Sequence, residues 1–177
     1  MVSDIYAEGQ WPQEYTHGKW SQWPDDLSLK DHLHAVYSDI YEKVKAVTST
    51  DNFSSTIEYK LLGREFLQAV KRGTPATVAA YLDAGMPVNF QDPRTFQTAL
   101  HVAAACRARA AIRVLVKHPD CNFIIRDRYG RLPSELAYEF GNDPALARYL
   151  TNKEFKYASA HRCALKYRET LSKKIID

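Results

Sequence analysis

Apolar residues recur at three- and four-residue intervals along most of this 177-residue chain. Between Ser28 and Val47 they fall at Leu29, Leu33, Val36, Ile40, Val44 and Val47, the stripe of an amphipathic helix. Ser28 stands where an N-cap belongs, and Asp31 would suit the positive end of the helix dipole. Further on, the same periodicity comes in short pairs. "FLQAVKRG", "LHVAAACR" and "SELAYEFG" each read as a brief helix around an alanine, and those alanines (Ala69, Ala103, Ala137) recur every 34 residues. Each is followed by a second helical stretch, "TVAAYL", "AIRVLV" or "LARYL", with a leucine at Leu82, Leu115 or Leu150.

The punctuation agrees with this pairing. Thr74-Pro75 and Asp143-Pro144 set a capping side chain before a proline, a favoured helix start. Gly73, Gly85 and Gly141 mark helix ends, where a positive φ costs glycine little. Two loops, "DAGMPVN" and "KHPDCN", close on Asn89 and Asn122. A period in the thirties marks stacked units that bury their apolar faces only against neighbours. Small residues (Ala69, Ala103, Ala104, Ala137) let such helices approach closely.

The expected organisation is therefore an aromatic-rich irregular arm over 1–25, an amphipathic helix and linker over 26–55, a repeat array over 56–152, and a basic helical cap over 153–177. The arm carries Trp11, Trp20 and Trp23 among prolines without a clear period, and is expected to pack along the stack, the alternative being that it awaits a partner. The cap is expected to be helical from Glu154 to Ile176, with Phe155, Ala158, Leu165 and Leu171 facing the array.

Thr98-Ala99-Leu100-His101-Val102-Ala103 resembles the T-P-L-H-x-A element of the ankyrin family, with Ala99 in place of proline. Asp127-Arg128-Tyr129-Gly130-Arg131-Leu132-Pro133 is similar to the opening of the next repeat, and "AGMPVN" to the family's closing loop. The resemblance covers about half the chain, roughly residues 62–152. It implies an all-α solenoid of helix-turn-helix units with extra N-terminal and C-terminal capping helices. The first repeat lacks T-P-L-H, as befits a capping unit. The third has Ser134 and Glu135 where leucine and histidine would stand, so its inner helix is expected to pack more loosely.

Composition adds little until charge is followed along the chain. Hydrophobic and charged contents of 45% and 25% are ordinary for a soluble domain. No signal peptide opens the chain and no apolar run approaches the ~20 residues that cross a bilayer, so a cytoplasmic location is expected, with delivery by a specialised secretion system left open. Cys106, Cys121 and Cys163 are too few and too scattered for a disulfide framework. Residues 1–50 hold four Lys/Arg against eight Asp/Glu, whereas residues 51–152 hold thirteen against ten and 153–177 seven against three. An acidic head and basic tail point to contact with each other or to separate partners.

Candidate chemistry is sparse. His101 and Cys106, five residues apart, lie about 140° around a helix and do not meet; in the family His101 ties neighbouring turns together. His32 and His34, and likewise His161 and Cys163, are two apart and face different sides. His118 and Cys121 lack the further ligands a structural zinc needs. Asp25-Asp26 reads as solvated or capping. No phosphate loop, G-x-S-x-G or H-E-x-x-H is present. Neither an enzyme, a metal site nor a cofactor is expected.

What the resemblance implies instead is recognition on the concave side. By alignment its turn positions are Arg94, Thr95, Gln97, Arg128, Tyr129 and Arg131. Its inner-helix edge is Lys71, Arg72, Ala105, Cys106, Arg107, Glu139 and Phe140. Six cations against Glu139, with two rings alongside, describe a basic and aromatic groove suited to an acidic protein surface. The expected function is non-catalytic protein–protein interaction, as a stoichiometric inhibitor. Alternatives are an immunity protein or antitoxin, an exported effector or adaptor acting on host proteins, an intramolecular clasp of the chain's own acidic head, and weak nucleic-acid binding. A sequence pI near 8.7 is modest for the last.

Overall fold

The computed structural model describes residues 27–49 and 56–167. The tryptophan-bearing arm over 1–25, part of the linker and the far C-terminus lie outside the described residues. Among those described, the chain forms seven α-helices and no strand: α1 (Leu27–Thr48), α2 (Ile57–Arg72), α3 (Pro75–Asp83), α4 (Ala99–Ala105), α5 (Arg109–Leu115), α6 (Pro133–Glu139) and α7 (Pro144–Ala160).

The helices stack as three antiparallel pairs. Inner helices α2, α4 and α6 pack in a row, α3 and α5 form the outer row, and α7 closes against α6. Seven-residue helices such as α4, α5 and α6 are too short to persist alone. Burial holds them: Ala103, Ala104, Ala111, Leu115, Ala137, Ala147 and Leu150 have no exposed surface. Ala69, Ala103 and Ala137 occupy equivalent buried places on the three inner helices. Between repeats, the Asn89 side chain donates to the Asp120 carbonyl (2.7 Å) and accepts from the Asn122 amide (2.9 Å), stitching one closing loop to the next.

α1 caps the open end by lying against α3 and α2. Ile40 and Val44 enter the core, and the Tyr37 hydroxyl donates to the Asp83 carboxylate at the end of α3. Burial and that carboxylate push the Tyr37 phenol well above its ordinary range. α1 begins at Leu27, so Ser28 lies inside its first turn rather than capping it.

The other end departs further from expectation. The helix expected from Glu154 to Ile176 is interrupted within the described residues. α7, the outer helix of the third pair, continues through Glu154 and stops at Ala160; Arg162 then takes a positive φ of 53° and residues 163–167 run back without helical structure. Ala158 is buried as expected, but Phe155 is half exposed and meets the Tyr167 ring 5.7 Å away.

This returning segment explains why the third inner helix is not loose. Ser134 and Glu135 are fully buried. The Glu135 carboxylate accepts from the Leu132 amide (2.7 Å), capping α6 from within. Glu154 accepts from the Ser134 amide (3.0 Å), the Ser134 hydroxyl (2.8 Å) and the Tyr167 hydroxyl (2.6 Å). Arg126 donates to the carbonyls of Gly130 (2.6 Å) and Lys166. Polar residues replace leucine and histidine here because polar partners cover them.

Two other local expectations are corrected. The Thr74 hydroxyl turns back to the Ala69 carbonyl (3.3 Å) and does not cap α3, whereas Asp143 does cap α7 through the Leu146 amide (3.0 Å). Gly141 is required for close approach and not for a positive φ: a Cβ there would sit 2.6 Å from the Ala137 carbonyl oxygen and 2.8 Å from that of Ala104.

Candidate functional site

Two projecting turns, 90–98 and 123–132, join the outer helix of one pair to the inner helix of the next, and each is organised by a buried aspartate. Asp92 accepts from the amides of Arg94 (3.2 Å) and Thr95 (3.0 Å), the Thr95 hydroxyl (3.0 Å) and Arg64 Nε (3.4 Å). Asp127 accepts from the amides of Tyr129 and Arg131 (2.9 Å each) and from the Arg131 guanidinium (2.7 and 2.8 Å). Burial alone would raise both carboxyl pKa values, but these donors outweigh it and hold them below the usual range. The turns are linked directly: the Arg128 amide donates to the Thr95 carbonyl (2.9 Å) and its guanidinium to the Arg94 carbonyl (3.1 Å).

His101 fastens this array from below. Its Nδ1 accepts from the Thr98 amide (3.2 Å) and lies 2.8 Å from the Thr98 hydroxyl. Its Nε2 lies 3.0 Å from the Arg131 carbonyl, an acceptor, which assigns the ring proton to Nε2. The ring is fully buried, and burial lowers its pKa, so it stays neutral at physiological pH. Cys106 is exposed, so the histidine and the thiol do not form a pair. Burial pushes the Cys121 thiol up to about 12, and His118 Nδ1 accepts from the Asp120 amide. Among the described residues no three His, Cys, Asp or Glu side chains are grouped to hold a metal.

The concave face carries a groove of about 530 Å³. One wall is α2, through Arg64, Leu67, Gln68 and Lys71; another is the first turn, through Asp92, Arg94, Thr95 and Gln97. Val102 and Ala105 of α4 and Cys106 just beyond it form the floor, and Arg128 reaches in from the second turn. Of the residues singled out from sequence, Lys71, Arg94, Thr95, Gln97, Ala105, Cys106 and Arg128 thus meet around one groove. Arg64, Leu67 and Gln68 were missed, although they precede Lys71 by seven, four and three residues, the spacing of one helical face.

The remaining predicted residues lie elsewhere. Arg72 is exposed in the last turn of α2, and Arg107 is exposed beyond α4 at a φ of 56°. Tyr129, Arg131, Glu139 and Phe140 form a second cluster on the third pair. The Arg131 side chain is only 12% exposed; its guanidinium bonds Asp127, lies 3.6 Å from Glu139, and sits between the rings of Tyr129 and Phe140 at 4.8 and 5.1 Å. Arg131 is a clamp with its charge already engaged, not a free cation of the groove. Phe96 is a further exposed ring missed from sequence; it holds a φ of 56° where the next turn places Gly130.

Short helix pairs, bridging histidine and linked turns define a helical-repeat scaffold. The chain belongs to the ankyrin-repeat family: the family model "Ankyrin repeats (3 copies)" matches residues 66–160. Diacylglycerol kinase iota of Rattus norvegicus is 32% identical over 150 residues, covering 73% of this chain and 14% of the kinase. Rabankyrin-5 of Homo sapiens is 37% identical over 75 residues, 42% of this chain and 6% of that protein. The chain thus spans a small part of each relative. No solved structure matches it. The ankyrin-repeat fold is a non-catalytic protein-interaction module, and among the described residues no helix is long and apolar enough to cross a membrane.

Proposed function

We propose that this protein binds an acidic segment of another protein in the groove between its first two helix pairs. The observation that carries this reading is the groove's charge: Arg64, Lys71, Arg94 and Arg128 line it against a single acid, Asp92. Asp92 is largely consumed by the turn it organises and by Arg64. Guanidinium groups match carboxylates with two parallel hydrogen bonds, and Leu67, Val102 and Ala105 offer an apolar floor beneath. The chain then acts by occupancy, as an inhibitor or adaptor that covers a partner's surface, and not by turnover.

A fluorescein-labelled deca-glutamate peptide tests this directly. Lys71→Glu with Arg128→Glu is expected to weaken its binding at least tenfold, with the thermal midpoint within about 2 °C of the parent, because both side chains are exposed. Unchanged affinity sinks the groove reading. Tighter binding to a random DNA duplex than to the peptide at physiological salt favours the nucleic-acid rival instead.

A further inference from the structure

Beside the cationic groove, the concave face changes character. On the third pair, Tyr129 and Phe140 expose 72% and 63% of their surface, among the largest exposures of any apolar side chain described. They are not two scattered rings, since Arg131 lies between them within 5.1 Å of both centroids. Nor is this patch cationic: Asp127 and Glu139 stand against the Arg131 guanidinium. It is continuous with the groove, because Arg128, which lines the groove, directly precedes Tyr129 in the same turn.

We infer that the partner segment is bipartite: an acidic run that fills the groove between the first two pairs, followed or preceded by one apolar side chain that packs on the exposed surfaces of the Tyr129 and Phe140 rings not covered by Arg131. The inference rests on the groove reading above and deepens it. Adjacent inner helices pack roughly 8–10 Å apart, so groove and patch are separated by about one and a half helix spacings. An extended peptide advances about 3.3 Å per residue. The apolar residue therefore follows or precedes the acidic run by roughly three to five positions.

The physical division of labour is clear. Exposed cations attract an acidic strand from a distance but discriminate poorly among acidic sequences. An aromatic pair stiffened by a clamped guanidinium loses little freedom on binding and rewards one side chain of the right shape, which supplies specificity.

A phage-displayed library of random twelve-residue peptides, selected on the full chain, reads this specificity. The expected consensus is an acidic run with Leu, Ile, Met or Phe three to five positions to one side. Selection on Tyr129→Ser with Phe140→Ser is expected to keep the acids and lose the apolar residue. A synthetic consensus peptide should bind that variant about tenfold more weakly, the scale of uncovering one aliphatic side chain. Replacing its apolar residue with serine should weaken it equally for the parent and not at all for the variant. An acidic consensus with no apolar residue at that spacing, or one unchanged in the variant, overturns the bipartite inference and leaves the groove reading standing. A consensus without acids, or no enriched peptide at all, overturns both.

Discussion

Glu154 has no exposed surface, yet three hydrogen bonds end on its carboxylate. Burial, which outweighs the donors from Tyr167 and Ser134, raises its pKa to about 7. A carboxyl raised in the folded state binds a proton that the unfolded chain has already released, so stability falls as pH rises from about 4.5 to about 7 and is level above that. Glu154→Gln mimics the protonated form. It is expected to match the parent near pH 5, exceed it by about 2–4 kcal/mol at pH 8, and abolish the slope between, as read by urea unfolding across pH. An unchanged slope would assign the titration to another group. Asp92, Asp127 and Asp143 act with the opposite sign: their lowered pKa values contribute stability above the ordinary aspartate range that is lost as pH falls through them. The two effects occupy different windows. At Gly141 the constraint is steric. Gly141→Ala would stiffen the unfolded chain favourably by less than ~1 kcal/mol. Its methyl would meet two backbone carbonyls that cannot rotate away, so a net loss of about 1–3 kcal/mol is expected in denaturant midpoints.

At the level of elements, the segment after α7 stands where a fourth pair would stack. Tyr167 donates to the Glu154 carboxylate that holds Ser134 of α6, its ring packs against Phe155 of α7, and the Lys166 carbonyl takes a bond from Arg126, where a following repeat would bring aliphatic contacts. Ending the chain after Ala160 should lower stability at pH 5 by about 1–3 kcal/mol, the worth of the lost hydrogen bonds and cover. It should also shrink the difference between pH 5 and pH 8, because Glu154 regains water and its pKa returns toward the ordinary range. Both follow from denaturation of the shortened chain at the two pH values; a pH difference as large as the parent's would show that the segment does not bury Glu154. α1 performs the matching task at the other end with apolar side chains, Ile40 and Val44, and one phenol.

Across the described residues, each helix pair packs chiefly against its neighbours, and three pairs are about the fewest that hold a stack together. The middle pair contacts both others, so damage there is felt throughout. Leu115→Ala, at a site with no exposure, is expected to cost about 2–5 kcal/mol. It should lower far-ultraviolet circular dichroism and amide-exchange protection in α2 and α6 together, as one transition. Separate transitions for the two ends would mean that the pairs fold independently. The same linear build sets the proposed binding surface out in order, with the cationic groove over the first two pairs and the aromatic clamp over the third.

The 34-residue spacing of Ala69, Ala103 and Ala137 and the paired helices were legible in the residues themselves, because repeat packing imposes a local rule of small residues, period and turn chemistry on every unit; the bridging role of His101 was implied by the resemblance to the ankyrin family. Lys71 pointed to the groove for the same reason, and Arg64, Leu67 and Gln68 could have been added from helical spacing alone. Tertiary structure alone decided the rest. Arg128 reaches a groove built by other repeats, while Arg131, three residues on, is drawn into Asp127 and between two rings. Glu154 to Tyr167 has no glycine or proline and reads as helix, yet it breaks at Ala160 because Tyr167 bonds a carboxylate thirteen residues earlier. Whether a charged side chain is free or engaged depends on atoms that lie far off in the chain and near in space, and no local pattern records that distance.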